Sequence, residues 1–239
     1  MTNNDIYNNR PTEPFEAVEE LVKELGLPEG FYAELLDEDD WSFIIKLHAL
    51  MEAAVTGLIV AALGQKELHH LISRLELSNK TTGKMAFVKA LSLLEDDYRR
   101  FIVTLSQIRN EFVHDVSNVG MSLKEYIAQS NKLDSVTKAF CFGKDKVEFD
   151  KRKLDNKEYM REDPKEVIWT TAAVCLGVIY VKKLNKTDIW KLKETRQRMY
   201  GRLEGVMRLV GIETDAETFI AQHKEANTAE TDKGESEQS

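Results

Sequence analysis

An arginine, an asparagine and a histidine fall close together in IRNEFVHD, residues 108–115. An imidazole exchanges a proton near neutral pH, and a guanidinium holds a phosphate or a developing oxyanion through paired donors. Arg109 and His114 together therefore suit metal-independent RNA cleavage, in which the ribose 2′-hydroxyl is the nucleophile. The same residues also fit an ordinary polar helix end, where His114 would complement the negative pole of its helix.

With Phe101 set at zero and an advance of about 100° per residue, Leu105, Ile108 and Phe112 return to within about 40° and form a core stripe. Val103, Gln107, Asn110 and His114 fall at roughly 180° to 240°, on the opposite side. His114 is thus expected in solvent or at an interface, with Asn110 one turn behind it at the i, i+4 spacing of a side-chain pair. Arg109 projects at about 80°, and its long side chain can curl around the helix end.

An apolar helix is expected over 40–63, hydrophobic almost all round and so central, with Gly64 as its stop. Glu52 is the only carboxylate in its 41–63 stretch, with His48 one turn before and Thr56 one turn after. These three form either a polar stripe facing Arg109 or a subunit cleft, or a small buried hydrogen-bonded network. Paired with Arg109, Glu52 would orient the guanidinium.

The block KMAFVKALSLLEDDYRRFIVTLSQIRNEFVHD, residues 84–115, resembles the HEPN superfamily, whose motif is an arginine, four to six residues, then a histidine, with a polar residue commonly after the arginine. Arg109, Asn110 and His114 fit that motif. The block also looks like the bacterial mannitol operon repressor family and its HEPN-like relatives. The resemblance covers roughly residues 40–130 and implies an all-α, antiparallel up-and-down bundle with extra terminal helices. It further implies a homodimer in which Val103, Gln107, Asn110 and His114 line the subunit contact. Many HEPN proteins are ribonucleases of toxin or antiviral systems, so a stress, toxin or phage-defence role on RNA is expected. The alternative is a non-enzymatic regulator working through protein contacts, as described for the mannitol repressor group. HEPN toxins silenced by a nucleotidyltransferase antitoxin carry tyrosine two residues after the histidine, where this chain has Val116, so that control is not expected; an antitoxin or regulatory protein partner of another kind stays open.

Composition narrows the classes. The chain has 239 residues, 42% of them hydrophobic, with a net charge of −8, twelve glycines and four prolines, which favours helices around a sizeable core. The negative balance leaves RNA binding to a local patch, for which Lys46, Arg99, Arg100 and Arg109 are the candidates. No helix-turn-helix with a basic recognition helix is evident, so direct sequence-specific DNA reading is not expected. Cys141 and Cys175 lack a metal-ligand or disulfide spacing, His69 and His70 point about 100° apart on a helix, and no phosphate-binding glycine loop occurs. No metal or cofactor is expected. The apolar run 167–181 is shorter than a bilayer span and 41–63 carries Lys46, His48 and Glu52, so a core role, no membrane and a cytoplasmic location are expected.

Three regions are read along the chain. Residues 1–39 form a polar arm with short helices at 15–26 and in GFYAELL; 40–223 form one helical domain with a core over 40–130 and further helices at 163–223; 224–239 form an acidic tail. Helices are expected at 65–76, 84–94, 96–115 and 122–129, the last opened by a Ser122/Glu125 capping box. Residues 139–149 suggest a small hairpin and 150–162 a charged excursion. Asp163, Pro164 and Glu166 open a helix to about Lys183, another runs from about Thr187 to Val210, and Thr214 with Glu217 suggests a last capped helix reaching His223. The 191–211 stretch, with Leu192, Met199, Leu203, Met207 and Leu209, reads as a core-packing helix with a cationic face or as a partner surface.

Overall fold

The computed structural model describes residues 14–114, 120–129, 133–142, 155–209, 214–218 and 221. Every element in them is helical. The chain divides into two compact units, Met1–Thr187 and Asp188–Ser239. In order along the chain lie α1 (Pro14–Glu24), α2 (Phe31–Glu34), α3 (Asp40–Leu63), a 3-10 turn (Lys66–Leu68), α4 (His69–Ser73) and α5 (Lys84–Ala90). Then come α6 (Asp96–His114), α7 (Leu123–Gln129), α8 (Leu133–Phe140), α9 (Asn156–Glu162) and α10 (Pro164–Leu209).

The first unit is built around α3. The Asp39 carboxylate caps it by accepting from the Ser42 amide at 2.9 Å, and Gly64 ends it in the left-handed region at φ 70°. Phe43, Leu47, Met51, Val55 and Leu58 are all fully buried, each worth about 1.5–3 kcal/mol relative to exposure. Helix α6 runs antiparallel to it: Trp41 Nε1 donates to the Phe112 carbonyl at 3.2 Å, and His48 lies 3.1 Å from Ser106. The N-terminal part of α10 rises again beside α3, from a Lys165–Asp40 ion pair at 3.0 Å to Lys183, whose stem covers Gly57. Lys182 also reaches Glu95 before the start of α6 at 2.7 Å, so α6 and α10 are antiparallel. The three long passes alternate up, down, up.

Helix α1 lies close on α10 because Gly177 has no side chain; a Cβ there would stand 3.3 Å from the Pro14 backbone. Tyr32 and Trp169 lock α2 to the same helix, stacked at 5.2 Å, with Trp169 Nε1 donating to the Tyr32 carbonyl at 2.9 Å and the Tyr32 hydroxyl donating to the Trp169 carbonyl.

Several local signals act as the sequence indicates. Ser122 and Glu125 form a reciprocal capping box, with Ser122 N–H to Glu125 Oε2 at 2.8 Å and Glu125 N–H to Ser122 Oγ at 3.2 Å. Asp163 accepts from the Glu166 amide at 3.4 Å, and Pro164 is the first helical residue.

Elsewhere the structure departs from the sequence reading. The two helices expected at 163–183 and 187–210 are one, since KKLNKTD holds neither proline nor glycine and the Thr187 hydroxyl donates back to the Lys183 carbonyl at 3.0 Å. The 139–149 hairpin is not formed where residues are described: Ala139 and Phe140 end α8, Cys141 and Phe142 form a turn, and 143–149 lie outside the described residues, as do 1–13, Val116 and the 224–239 tail. Part of the charged excursion is α9, opened by Asp155, whose carboxylate accepts from the Lys157 amide at 3.2 Å. The segment expected as 65–76 is a 3-10 turn followed by one α-helical turn, and 84–94 stops at Ala90, with Ser92 at φ 49° turning the chain.

In the second unit, Asp215 rather than Thr214 supplies the cap, accepting from the Thr218 amide at 2.8 Å. Arg196 pairs with Glu217 at 2.9 Å and stacks over Tyr200 at 5.0 Å. Met207 is buried, whereas Ile189, Leu192 and Met199 are exposed, so these three do not pack as core residues.

Asp40–Leu63 and Pro164–Gly205 are each long and apolar enough to cross a membrane, and 61% and 56% of those apolar windows are buried inside the protein. The second exceeds the length expected for 167–181 because that apolar run is only the first part of the longer α10.

Candidate functional site

The last turns of α6 are held by two neighbours, Trp41 of α3 and Tyr126 of α7. Trp41 grips the Phe112 carbonyl, Tyr126 of α7 packs edge-on against Phe112 at 5.4 Å, and the Tyr126 hydroxyl donates to Glu111 at 2.7 Å. The Leu123 amide, which opens α7, donates to Asp40 at 2.7 Å. Burial and the Glu111 carboxylate push the Tyr126 phenol far above its ordinary range, so it stays a proton donor in that contact.

On this anchored end, Phe101, Leu105, Ile108 and Phe112 are buried, as the helical projection requires. Gln107 and His114 are exposed, and Val103, Arg109 and Asn110 are half-buried. Arg109 Nη1 donates to Asn110 Oδ1 at 3.1 Å. Asn110 therefore steadies the guanidinium, and His114 makes no hydrogen bond among the described residues.

Beneath Arg109 lies a polar cluster inside the bundle. The Lys84 side chain is 0% exposed, and its ammonium donates to Glu52 Oε1 at 2.6 Å, to the Leu75 carbonyl at 2.7 Å and to the Ser73 carbonyl at 3.1 Å. All three ammonium donors are thereby used, as a buried cation requires. Glu52 thus pairs with Lys84, and Thr56 donates to the Glu52 backbone carbonyl at 2.8 Å. His48 meets Ser106, whose hydroxyl donates to the Ile102 carbonyl at 2.9 Å. Burial holds the His48 imidazole below its ordinary 6.5; Glu52 opposes that shift, and Arg109 and Lys84 add to it. His48 is consequently neutral at neutral pH and lies in the electrostatic field of Arg109.

The sequence does not single out Lys84, because a lysine that ends the polar loop SNKTTGK reads as solvated. The one local signal is the glycine before it. A Cβ on Gly83 would fall 2.2 Å from the Glu76 carbonyl oxygen, so only glycine lets the loop fold back. The Lys84 amide then donates to the Glu76 carbonyl at 2.9 Å and the Met85 amide to Leu77 at 3.2 Å.

That loop and α5 form one wall of a cleft of about 430 Å³, with α6 as the other. Lys80, Met85 and Lys89 line it on one side, and Asp96, Arg99, Arg100, Val103, Thr104 and Gln107 on the other. Arg99 pairs with Asp96, and Arg100 with Asp97 at 2.8 Å. Lys80 and Lys89 are exposed and form no ion pair among the described residues. Of the other cations considered from sequence, Lys46 pairs with Glu38 and lies outside the cleft.

The remaining candidates carry no chemistry of this kind. Cys141 and Cys175 are buried free thiols, and burial pushes the Cys141 thiol up to about 11 and the Cys175 thiol higher still. His70 is held by the Glu67 carbonyl at 3.0 Å on the exposed surface. Among the described residues no three His, Cys, Asp or Glu side chains converge to hold a metal ion. Compared with known proteins, the chain matches no family model, no curated protein and no solved structure.

Proposed function

We propose that this chain is a HEPN-like endoribonuclease acting without a metal ion, in a stress, toxin or phage-defence setting. The observation that carries the reading is the end of α6, where Arg109 is steadied by Asn110 and His114 stands exposed just over one turn further on, off the core stripe. Arg109 binds the scissile phosphate through its remaining donors and offsets the charge that builds on it. The ribose 2′-oxygen bonds to phosphorus as the bond to the 5′-oxygen breaks. The 2′-hydroxyl proton passes to His114, and the imidazolium returns a proton to the departing 5′-oxygen. Products then carry a 2′,3′-cyclic phosphate and a 5′-hydroxyl.

The test is incubation of purified protein with single-stranded and transfer RNA in EDTA, wild type beside Arg109→Ala and His114→Ala, with sedimentation to record the oligomeric state of each. Cleavage by wild type alone, leaving cyclic phosphate ends, supports the reading. Equal cleavage by His114→Ala ends it. No cleavage by any protein, with both variants failing to form the wild-type dimer, moves the motif to a subunit contact and favours the regulator.

A further inference from the structure

We infer that the cleft between α5 and α6 is an anion-binding channel that holds the backbone of single-stranded RNA along the face of α6 that leads to Asn110 and His114. This rests on the ribonuclease reading for the identity of the polyanion. Its own support is the placement of charge. The whole chain carries −8, yet among the described residues four cations line this cavity against the single carboxylate of Asp96. Two of the four are already partly neutralised by Asp96 and Asp97, which leaves Lys80 and Lys89, one on each end of the α5 wall, to meet an incoming anion.

The cleft also points the right way. Its α6 wall is Asp96, Arg99, Arg100, Val103, Thr104 and Gln107, a run of threes and fours that follows one face of the helix. Continuing the same spacing gives Asn110, Glu111 and His114. Val103 and Asn110 are about 10 Å apart along the helix axis, close enough for neighbouring nucleotides of one strand to occupy both places. A volume of about 430 Å³ accommodates a nucleotide-sized group. Among the described residues no aromatic ring lines it, so base stacking there is not expected and sequence preference at this point is weak.

The assignment gives Val103 and Gln107 a different task from the subunit contact implied by the family resemblance. A twofold contact over this face would set each cationic cleft against its own copy, at a cost in like-charge repulsion. As cleft wall, Thr104 and Gln107 offer hydrogen bonds to phosphate and ribose, and Val103 lies against the sugar. The loop that presents Lys80 is fixed for the purpose, since Asn79 accepts from the amides of Thr81 and Thr82 at 2.9 Å and Lys84 is anchored in the interior.

The experiment is fluorescence anisotropy of the full chain with a labelled, non-cleavable 2′-O-methyl oligoribonucleotide at several salt concentrations. It compares wild type, Lys80→Glu/Lys89→Glu and Lys23→Glu/Lys66→Glu, the same charge change at exposed lysines outside the cleft, with circular dichroism to confirm the fold. The cleft reversal is expected to weaken binding about tenfold or more and to lower the salt slope by roughly 0.7 for each lysine, whereas the control pair binds much as wild type. Unchanged affinity and slope in the folded cleft variant overturn the inference. So does a poly-glutamate peptide of equal length binding as tightly as the oligomer, or a mononucleotide doing so. If wild type cleaves RNA while the cleft variant still binds normally, the channel falls and the ribonuclease stands. If binding depends on the lysines while no protein cleaves, the channel stands and the ribonuclease falls.

Discussion

Two polar regions meet on α6 and differ in one respect. In its middle, Ser106, His48, Glu52 and Lys84 satisfy one another and the nearby carbonyls, with the Lys84 ammonium fully buried. At its C-terminal end, Arg109 keeps donors beyond the one it gives to Asn110, and His114 faces solvent. Polar groups that spend their hydrogen bonds inside the fold hold elements in place; those left with capacity at an anchored helix end are free for a ligand. The two regions should therefore separate by experiment, one through stability and the other through rate.

The largest separation is expected from Arg109→Ala. Losing one charge-stabilising donor costs about 10²- to 10³-fold in cleavage rate, with the urea midpoint of unfolding little changed. A variant that instead unfolds would place Arg109 with the structural cluster and dissolve the distinction. Lys84→Met reverses the pattern. It leaves Glu52 and two carbonyls without their donor and should destabilise by about 3 kcal/mol, read as a lower urea midpoint. Adding Glu52→Gln should recover part of that loss.

Gly83→Ala is expected to follow at about 1–3 kcal/mol, because the new Cβ has no room between the Glu76 carbonyl and Asn79. It should also weaken RNA binding by displacing Lys80, an effect that Lys84→Met shares only if its loop moves. The smallest effect is a pH dependence. His48 is held below 6.5 in the folded chain, so just under that value the unfolded chain binds more protons and stability falls as pH drops through it. Below the depressed folded-state value the decline stops. Equilibrium unfolding at a series of pH values should show this component in wild type and not in His48→Gln.

The elements around the site were legible because their signals are local. The apolar 40–63 run and its Gly64 stop, the core stripe from Phe101 to Phe112 and the Ser122/Glu125 box all depend on neighbours within a few residues. What could not be read depends on distance in sequence. The Lys84–Glu52 bridge joins residues 32 apart, and only the preceding Gly83 sets Lys84 apart locally from the solvated Lys80 four positions earlier. For the same reason Glu52 was considered as a partner for Arg109, on helix phase alone. The cationic cleft was half visible: Arg99 and Arg100 were in view, but Lys80 and Lys89 joined them only through the packing of α5 on its loop. The single long α10 is not legible locally, because the polar KKLNKTD stretch between two apolar runs looks like a break although it holds neither proline nor glycine.

The central claim is that the end of α6 does chemistry while its middle does not. The most direct test measures two quantities on one preparation of His114→Ala: the single-turnover rate of RNA cleavage in EDTA and the urea midpoint of unfolding. The expected result is a rate lowered by about 10²-fold or more with an unchanged midpoint. An unchanged rate, or a loss of rate that tracks a lowered midpoint, would contradict it.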